Sequence, residues 1–196
     1  MVTLRKVQAG FTLTEVMVVV VILSLLAAIS TPLLTRDNSA RKGRGWSQIV
    51  AQTLQRARFQ AMGDHANIHV LLYRTHVDMY RREIPPVAGN DFTLLSSTPG
   101  PASNSSKTVA IWDVCSTSCT VTTQNTSWAA AAPPTLGSPR SNEIIFTSMG
   151  GTSTNANWRI YLRNELLPSA HPDASFVINV GGLTGFVSAN DKVTLP

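Results

Sequence analysis

Residues 1–34 read MVTLRKVQAGFTLTEVMVVVVILSLLAAISTPLL, and the order of parts in that stretch decides the fold. A short leader carries Arg5 and Lys6 and ends on Gly10. Residues 16–34 are then almost wholly apolar, broken by Ser24, Ser30, Thr31 and Pro32. An apolar run of ~20 residues is long enough to cross a bilayer as a helix. A secretory signal would place its small-residue cleavage site after the apolar stretch. Here the small residue, Gly10, comes before it. No clear A-x-A pattern precedes Thr31-Pro32, although Ala27-Ala28 before Ile29 leaves an ordinary signal peptide as the competing reading.

The order of basic leader, Gly10, Phe11, Thr12, Leu13, Thr14, Glu15 and apolar helix resembles the class III signal of type IV pilins and type II secretion pseudopilins. The resemblance implies that a prepilin peptidase cleaves after Gly10 and N-methylates Phe11. It makes Glu15 the assembly residue and Pro32 a helix-loosening proline. The physics suits those roles. Gly10 has no Cβ and fits a tightly enclosed cleft in an extended conformation. An ionised group costs ~2.5–3.5 kcal/mol at the centre of a membrane helix and less near the interface, so a retained Glu15 wants a partner. In the family that partner is the amino terminus of a neighbouring subunit, which stays cationic near neutral pH from a parent pKa of ~8. Such a pair is a device for register more than for stability. Without the surrounding motif, a solvated Glu at the membrane surface would be the simpler reading.

Residues 39–62 continue as an amphipathic helix. Ala40, Trp46, Ile49, Val50, Leu54, Ala57 and Ala61 recur at helical spacing, with polar and basic residues between them. Gly43 and Gly45 are expected to loosen the join to the apolar segment, and Gly63-Asp64 to stop the helix. The expected division is a leader at 1–10, a transmembrane assembly helix at 11–35, an amphipathic helix at 36–62 and a β-rich head at 63–196.

The formal net charge is +5 and the pI about 9.7, which invites a nucleic-acid or membrane-surface reading. The location of the charge narrows it. Arg36, Arg41, Lys42, Arg44, Arg56 and Arg58 follow the apolar run against Asp37 alone, while residues 63–196 hold eight Lys and Arg against nine Asp and Glu. The basic character belongs to the helix and the head is near neutral.

In the head, strands are expected at 66–73, 77–82, 109–114, 143–148, 158–162, 176–180 and 185–188, separated by Ser, Thr, Pro, Gly and Ala-rich loops at 95–106, 122–140 and 150–157. Trp112 and Trp158 are expected in the core and Trp128 at the surface. The fold class is α+β: a long N-terminal helix packed on an antiparallel β-rich head. This order is similar to the GspH/FimT family of minor pilins and pseudopilins. The join around Leu54, Ala57, Arg58 and Ala61, Ile144-Ile145-Phe146 before Gly150, and Phe176–Val180 followed by Thr184-Gly185 carry that likeness. DNA-binding members have arginines directly after the terminal Thr-Gly. Here Phe186, Val187 and Ser188 stand there, so DNA is not an expected partner. Arg159 and Arg163 read as a solvated strand face.

Cys115 and Cys119, four apart, read as a small disulfide loop in an exported head; zinc would need about four ligands, and no His lies near them. His65 and His69 lack the H-E-x-x-H pattern, and no nucleophile elbow or phosphate loop is present. No enzyme activity, cofactor or metal is expected. The resemblance implies a minor pilin that initiates or caps a type IV pilus, or alternatively a type II secretion pseudopilin at a piston tip. Its expected partners are other minor pilins, the major pilin, the prepilin peptidase, the inner-membrane assembly platform and inner-membrane lipid. Its expected place is the inner membrane, single-pass, with the head in the periplasm.

Overall fold

The computed structural model describes residues 13–87, 90–101, 108–116, 133–136 and 140–191, with the backbone alone for 27–38, 85–87, 90 and 190–191. The chain divides into two units, Met1–Asn38 and Ser39–Pro196.

One helix, α1 (Leu13–Gly63), supplies the described part of the first unit and opens the second. Its end was legible. Asp64 N–H donates to the Gln60 carbonyl at 2.8 Å and Ala66 N–H to the Ala61 carbonyl at 3.3 Å, the six-to-one bond of a Schellman closure. The left-handed residue is His65, at φ 51°, and not the expected glycine; His is among the side chains enriched in that region.

The second unit adds eight strands: β1 (Ile68–Leu72), β2 (His76–Val87), β3 (Asn90–Pro99), β4 (Val109–Ser116), β5 (Glu143–Phe146), β6 (Trp158–Asn164), β7 (Ser175–Val180) and β8 (Val187–Asp191). They form two four-stranded sheets, ordered β3-β2-β1-β5 and β4-β6-β7-β8, antiparallel throughout. The architecture is α+β. One apolar core joins Trp46, Val50, Leu54, Ala57 and Ala61 of α1 to Ile68, Val70 and Leu72 of β1, Ile160 and Leu162 of β6, and Phe176 and Ile178 of β7. A fully buried side chain of this size contributes ~1.5–3 kcal/mol, so the amphipathic stripe is what fixes α1 in the unit.

Three strands depart from expectation; the last, expected at 185–188, is β8 at Val187–Asp191, because Gly185 closes the turn before it. β3 takes residues assigned to a loop from 95 onward; it pairs with β2 through His76↔Pro99 to Arg82↔Phe92. Its Ser96, Ser97 and Thr98 give no apolar alternation. An edge strand is held by its partner's backbone, which local pattern does not report. β2 runs past 82 through Pro85 and Pro86, with a register irregularity between Arg82 and Val87, where missing N–H donors are tolerated.

β4 contains a bulge. Ile111 faces Leu162 and Asp113 faces Tyr161, leaving Trp112 without a cross-strand partner. The extra residue shifts the side-chain phase. Val109, Ile111 and Val114 therefore reach the core, where strict alternation would have pointed Asp113 inward. Trp112 was expected in the core. It lies instead in a separate cluster with Tyr161, Val177 and Cys115, with the Arg163 guanidinium 4.7 Å from its ring centroid. Arg163 is thus half-buried against an aromatic and not simply solvated, whereas Arg159 is exposed. Trp158 is in the core as expected.

Gly43 and Gly45 do different things. Gly43 is buried, and a Cβ there would meet the Phe176 ring at 2.8 Å and the Asn164 amide at 2.9 Å. It is a close-approach residue, not a loosening one. Gly45 has nothing within 4 Å of its Cβ position. Gly45→Ala should therefore stabilise the protein by about 0.5–1 kcal/mol through helix propensity alone, read as a raised denaturation midpoint; Gly43→Ala should lower it.

Candidate assembly site

The first unit presents the chain's largest apolar surface. Leu13, Val16 to Leu23, Leu25 and Leu26 are each more than half exposed. A helix fully apolar around its circumference has no stable place in water alone, and exposed patches beyond a few hundred Å² mark an interaction surface. Ser24, the hydroxyl between Leu23 and Leu25, folds back to donate to the Val20 carbonyl at 2.7 Å. Its polar atom is thereby withdrawn from the apolar surface. Glu15 stands in the first turn of α1, where a carboxylate is favoured by the positive end of the helix dipole. α1 runs through Pro32 without a break in its helical assignment. Gly10 and Phe11 lie outside the described residues.

Among the described residues no helix is long and apolar enough to cross a membrane. The described side chains of the apolar run stop at Leu26, short of the ~20 residues a span needs; the sequence remains apolar to Leu34 apart from Ser30, Thr31 and Pro32.

Within the second unit, polar contacts tie α1 to the β part, among them the Gln55 amide donating to the Val187 carbonyl of β8 at 3.4 Å. The Asn164 amide donates to the Ser39 carbonyl at 2.7 Å. Arg44 pairs with Asp173 at 2.7 Å. Arg58 Nε donates to the Gly150 carbonyl at 3.2 Å, where the turn after β5 meets the β7–β8 turn. That second turn contains the Thr184-Gly185 pair singled out in the sequence. Gly185, at φ 61°, donates its N–H to the Gly181 carbonyl at 2.7 Å, and Gly181 N–H to the Phe186 carbonyl at 2.8 Å. Thr184 Oγ accepts from Phe186 N–H at 3.2 Å. The motif closes a turn against the helix end.

Several polar groups of the head pair with one another, while Trp46 Nε1, Asp78 Oδ1 and Trp158 Nε1 are buried without a hydrogen bond among the described residues. His69 and Glu143, both buried, join through Nδ1 and Oε1 at 2.5 Å, and the Phe92 ring meets His69 edge-on at 4.7 Å. Nearby, burial, reinforced by the Asp78 carboxylate, pushes the Tyr80 phenol up. An open cleft of about 340 Å³ lined by Asp64, His65, Arg81, Arg82 and Glu83 holds Arg81 bonded to Glu83 at 2.8 Å. That hydrogen bond holds the Glu83 carboxyl below its ordinary value. Its stabilising contribution is therefore present above the unfolded carboxylate pKa and lost as pH falls through the folded one; on an exposed pair it is small. His65 is exposed and His69 buried, so the two do not act together. No group of three or more His, Cys, Asp or Glu residues converges on a metal position among the described residues. Cys115 is disulfide-bonded; Cys119 and Trp128 lie outside the described residues.

Residues 5–31 match the family described as the prokaryotic N-terminal methylation motif. The chain carries a prokaryotic N-terminal methylation motif. The motif covers residues 5–10 of the leader, the Gly10-Phe11 junction, Glu15 and most of the apolar run. The prepilin-like chain is also similar to solved structures. These include the type IV minor pilin FimU of Pseudomonas aeruginosa PAO1, at 10% identity over 75% of this chain and 87% of that one, TM-score 0.47. A second crystal form of FimU matches at 11% identity over 75% and 91%, TM-score 0.45. The minor pseudopilin EpsH from the Type 2 Secretion System of Vibrio cholerae matches at 9% identity over 76% and 97%, TM-score 0.47. No curated protein matches the prepilin-like sequence.

Proposed function

We propose that this chain is a minor pilin of the GspH/FimT type that initiates or caps a type IV pilus. In this reading prepilin peptidase cleaves after Gly10 and N-methylates Phe11. The apolar helix spans the inner membrane once and leaves the second unit in the periplasm. The assembly platform then passes the subunit into a filament with other minor pilins and the major pilin. Glu15 sets the register against a neighbour's amino terminus, and Pro32 lets the helix loosen on assembly. A Cys115–Cys119 bridge closes a small loop in the head. The observation that carries this reading is the exposed apolar helix that opens on Glu15 within the methylation motif. A helix of that kind is stable only in lipid or against other helices, and a carboxylate at its start favours a cationic partner there.

Glu15→Val tests the role. The substitution removes a polar group from an apolar helix, so membrane retention should be unchanged or stronger. Breaking one partner out of a buried ion pair costs ~3–5 kcal/mol, enough to reduce pilus number per cell by roughly an order of magnitude or more. Loss of protein secretion with piliation intact would assign the chain to a type II secretion pseudopilus instead. Full function of both systems with Glu15→Val would remove the assembly role.

A further inference from the structure

The end of the second unit where the chain enters it has an uneven surface. Arg41 and Lys42 are exposed and make no ion pair among the described residues. Arg44, beside them, keeps its side chain 55% exposed while holding Asp173 at 2.7 Å. Between positions 38 and 63 α1 contains no acid at all. The loop joining β6 to β7 lies against the same end. Asn164, the last residue of β6, bonds the Ser39 carbonyl, and Asp173 near the close of the loop bonds Arg44. Between them Leu166, Pro168, Ser169, Ala170, His171 and Pro172 are exposed, an unusually apolar content for a surface loop.

Among the described residues the acids of this end, Glu165 and Asp173, are turned inward. Glu165 accepts from Arg74 at 2.7 Å and from Thr108 N–H at 3.2 Å. Asp173 is only 13% exposed at its side chain and is bonded by Arg44. The loop is compact: His171 N–H donates to the Pro168 carbonyl at 2.9 Å and Ala174 N–H to the His171 carbonyl at 3.0 Å. What remains outward among the described side chains is cation and apolar side chain, and Asp37 on the approach is outweighed by Arg36, Arg41 and Lys42.

Sequence position says which surface. Arg41 stands seven residues beyond Leu34, where the apolar run ends, a rise of about 10 Å along a helix. The headgroup layer itself reaches ~5–7 Å beyond the hydrocarbon core, so Arg41 falls within one Debye length of ~8 Å of the charged layer. We propose that Arg41, Lys42 and the 165–172 loop together dock the second unit on the anionic phospholipid headgroups of the membrane that holds the apolar helix, before the subunit enters a filament. This rests on the proposed membrane anchorage and adds a lipid contact of the head to it. The arrangement combines the two attractions of an interfacial anchor, a basic cluster for the headgroups and apolar side chains for the layer beneath.

The test uses the full-length chain reconstituted into vesicles of phosphatidylcholine, or of phosphatidylcholine mixed with phosphatidylglycerol, with amide hydrogen exchange read across residues 165–174. The exposed amides of the loop should exchange roughly tenfold or more slowly in the phosphatidylglycerol vesicles only, with high salt reversing the protection. Arg41→Gln and Lys42→Gln should each reduce it about fivefold. Equal exchange in both lipids, with the chain firmly inserted, would overturn the docking and leave the anchorage standing. Protection indifferent to salt and to both substitutions would also overturn it. A chain retained by neither bilayer would overturn the anchorage itself, and the docking with it.

Discussion

Gly185→Ala should destabilise the second unit by on the order of 2–5 kcal/mol, a large fraction of the ~5–15 kcal/mol available to a domain. Two costs add. Gly185 sits at φ 61°, where an L-residue costs ~1–2 kcal/mol. A Cβ there would also be driven into the Gly150 carbonyl oxygen, with Arg58 Cδ at 3.1 Å behind it. Neither neighbour can yield cheaply. Gly150 is itself at φ 84°, and its own Cβ position lies 2.7 Å from Met62 Sδ. Its carbonyl is also the acceptor for Arg58. Overpacking of this kind adds ~1–3 kcal/mol. The check is the denaturant midpoint of the full-length chain in detergent micelles, which should fall markedly while Gly45→Ala moves it the other way. An unchanged midpoint for Gly185→Ala would mean that the β7–β8 turn does not pack on the helix end.

Glu143→Ala should cost nearly as much, on the order of 2–5 kcal/mol, by a different route. Glu143 is 2% exposed, and both carboxylate oxygens are used: one by His69 Nδ1 and the other by Arg140 N–H at 3.0 Å. His69 Nε2 already lacks a partner among the described residues. Alanine would strand two further buried groups at ~1–3 kcal/mol each. The loss should concentrate in the β1–β5 pairing, where Asn142 also bonds the Leu72 carbonyl at 2.9 Å. Hydrogen exchange at residues 69–72 would therefore rise before global unfolding. Glu143→Gln keeps two polar atoms at that place and should lose less than half as much. Equal losses for alanine and glutamine would show that the hydrogen bonds are not what this carboxylate contributes.

The parts legible in the sequence were those whose signal is local. The apolar run, the stripe from Trp46 to Ala61, the stop at Gly63 and seven of the eight strands each carry their periodicity within a short window. The parts missed depend on partners far along the chain. β3 is a strand because β2 lies beside it. Trp112 leaves the core because a bulge re-phases β4 against β6, and no local pattern marks that extra residue. Gly43 looked like a flexible join until Phe176, remote in sequence, was found against it. The His69–Glu143 pair joins residues 74 positions apart. A strand pattern shows that both positions lie in strands but not that they meet across β1 and β5.

The reading of the N-terminus rests on order: leader, Gly10, Phe11, Glu15, apolar helix. Its most direct test is the intact mass and N-terminal sequence of the protein recovered from its native membrane, in cells with and without prepilin peptidase. The account predicts a chain that begins at N-methylated Phe11 when the peptidase is present and keeps Met1 to Gly10 when it is absent. A chain that begins beyond Ala28, or that keeps Met1 whether or not the peptidase is there, would contradict it.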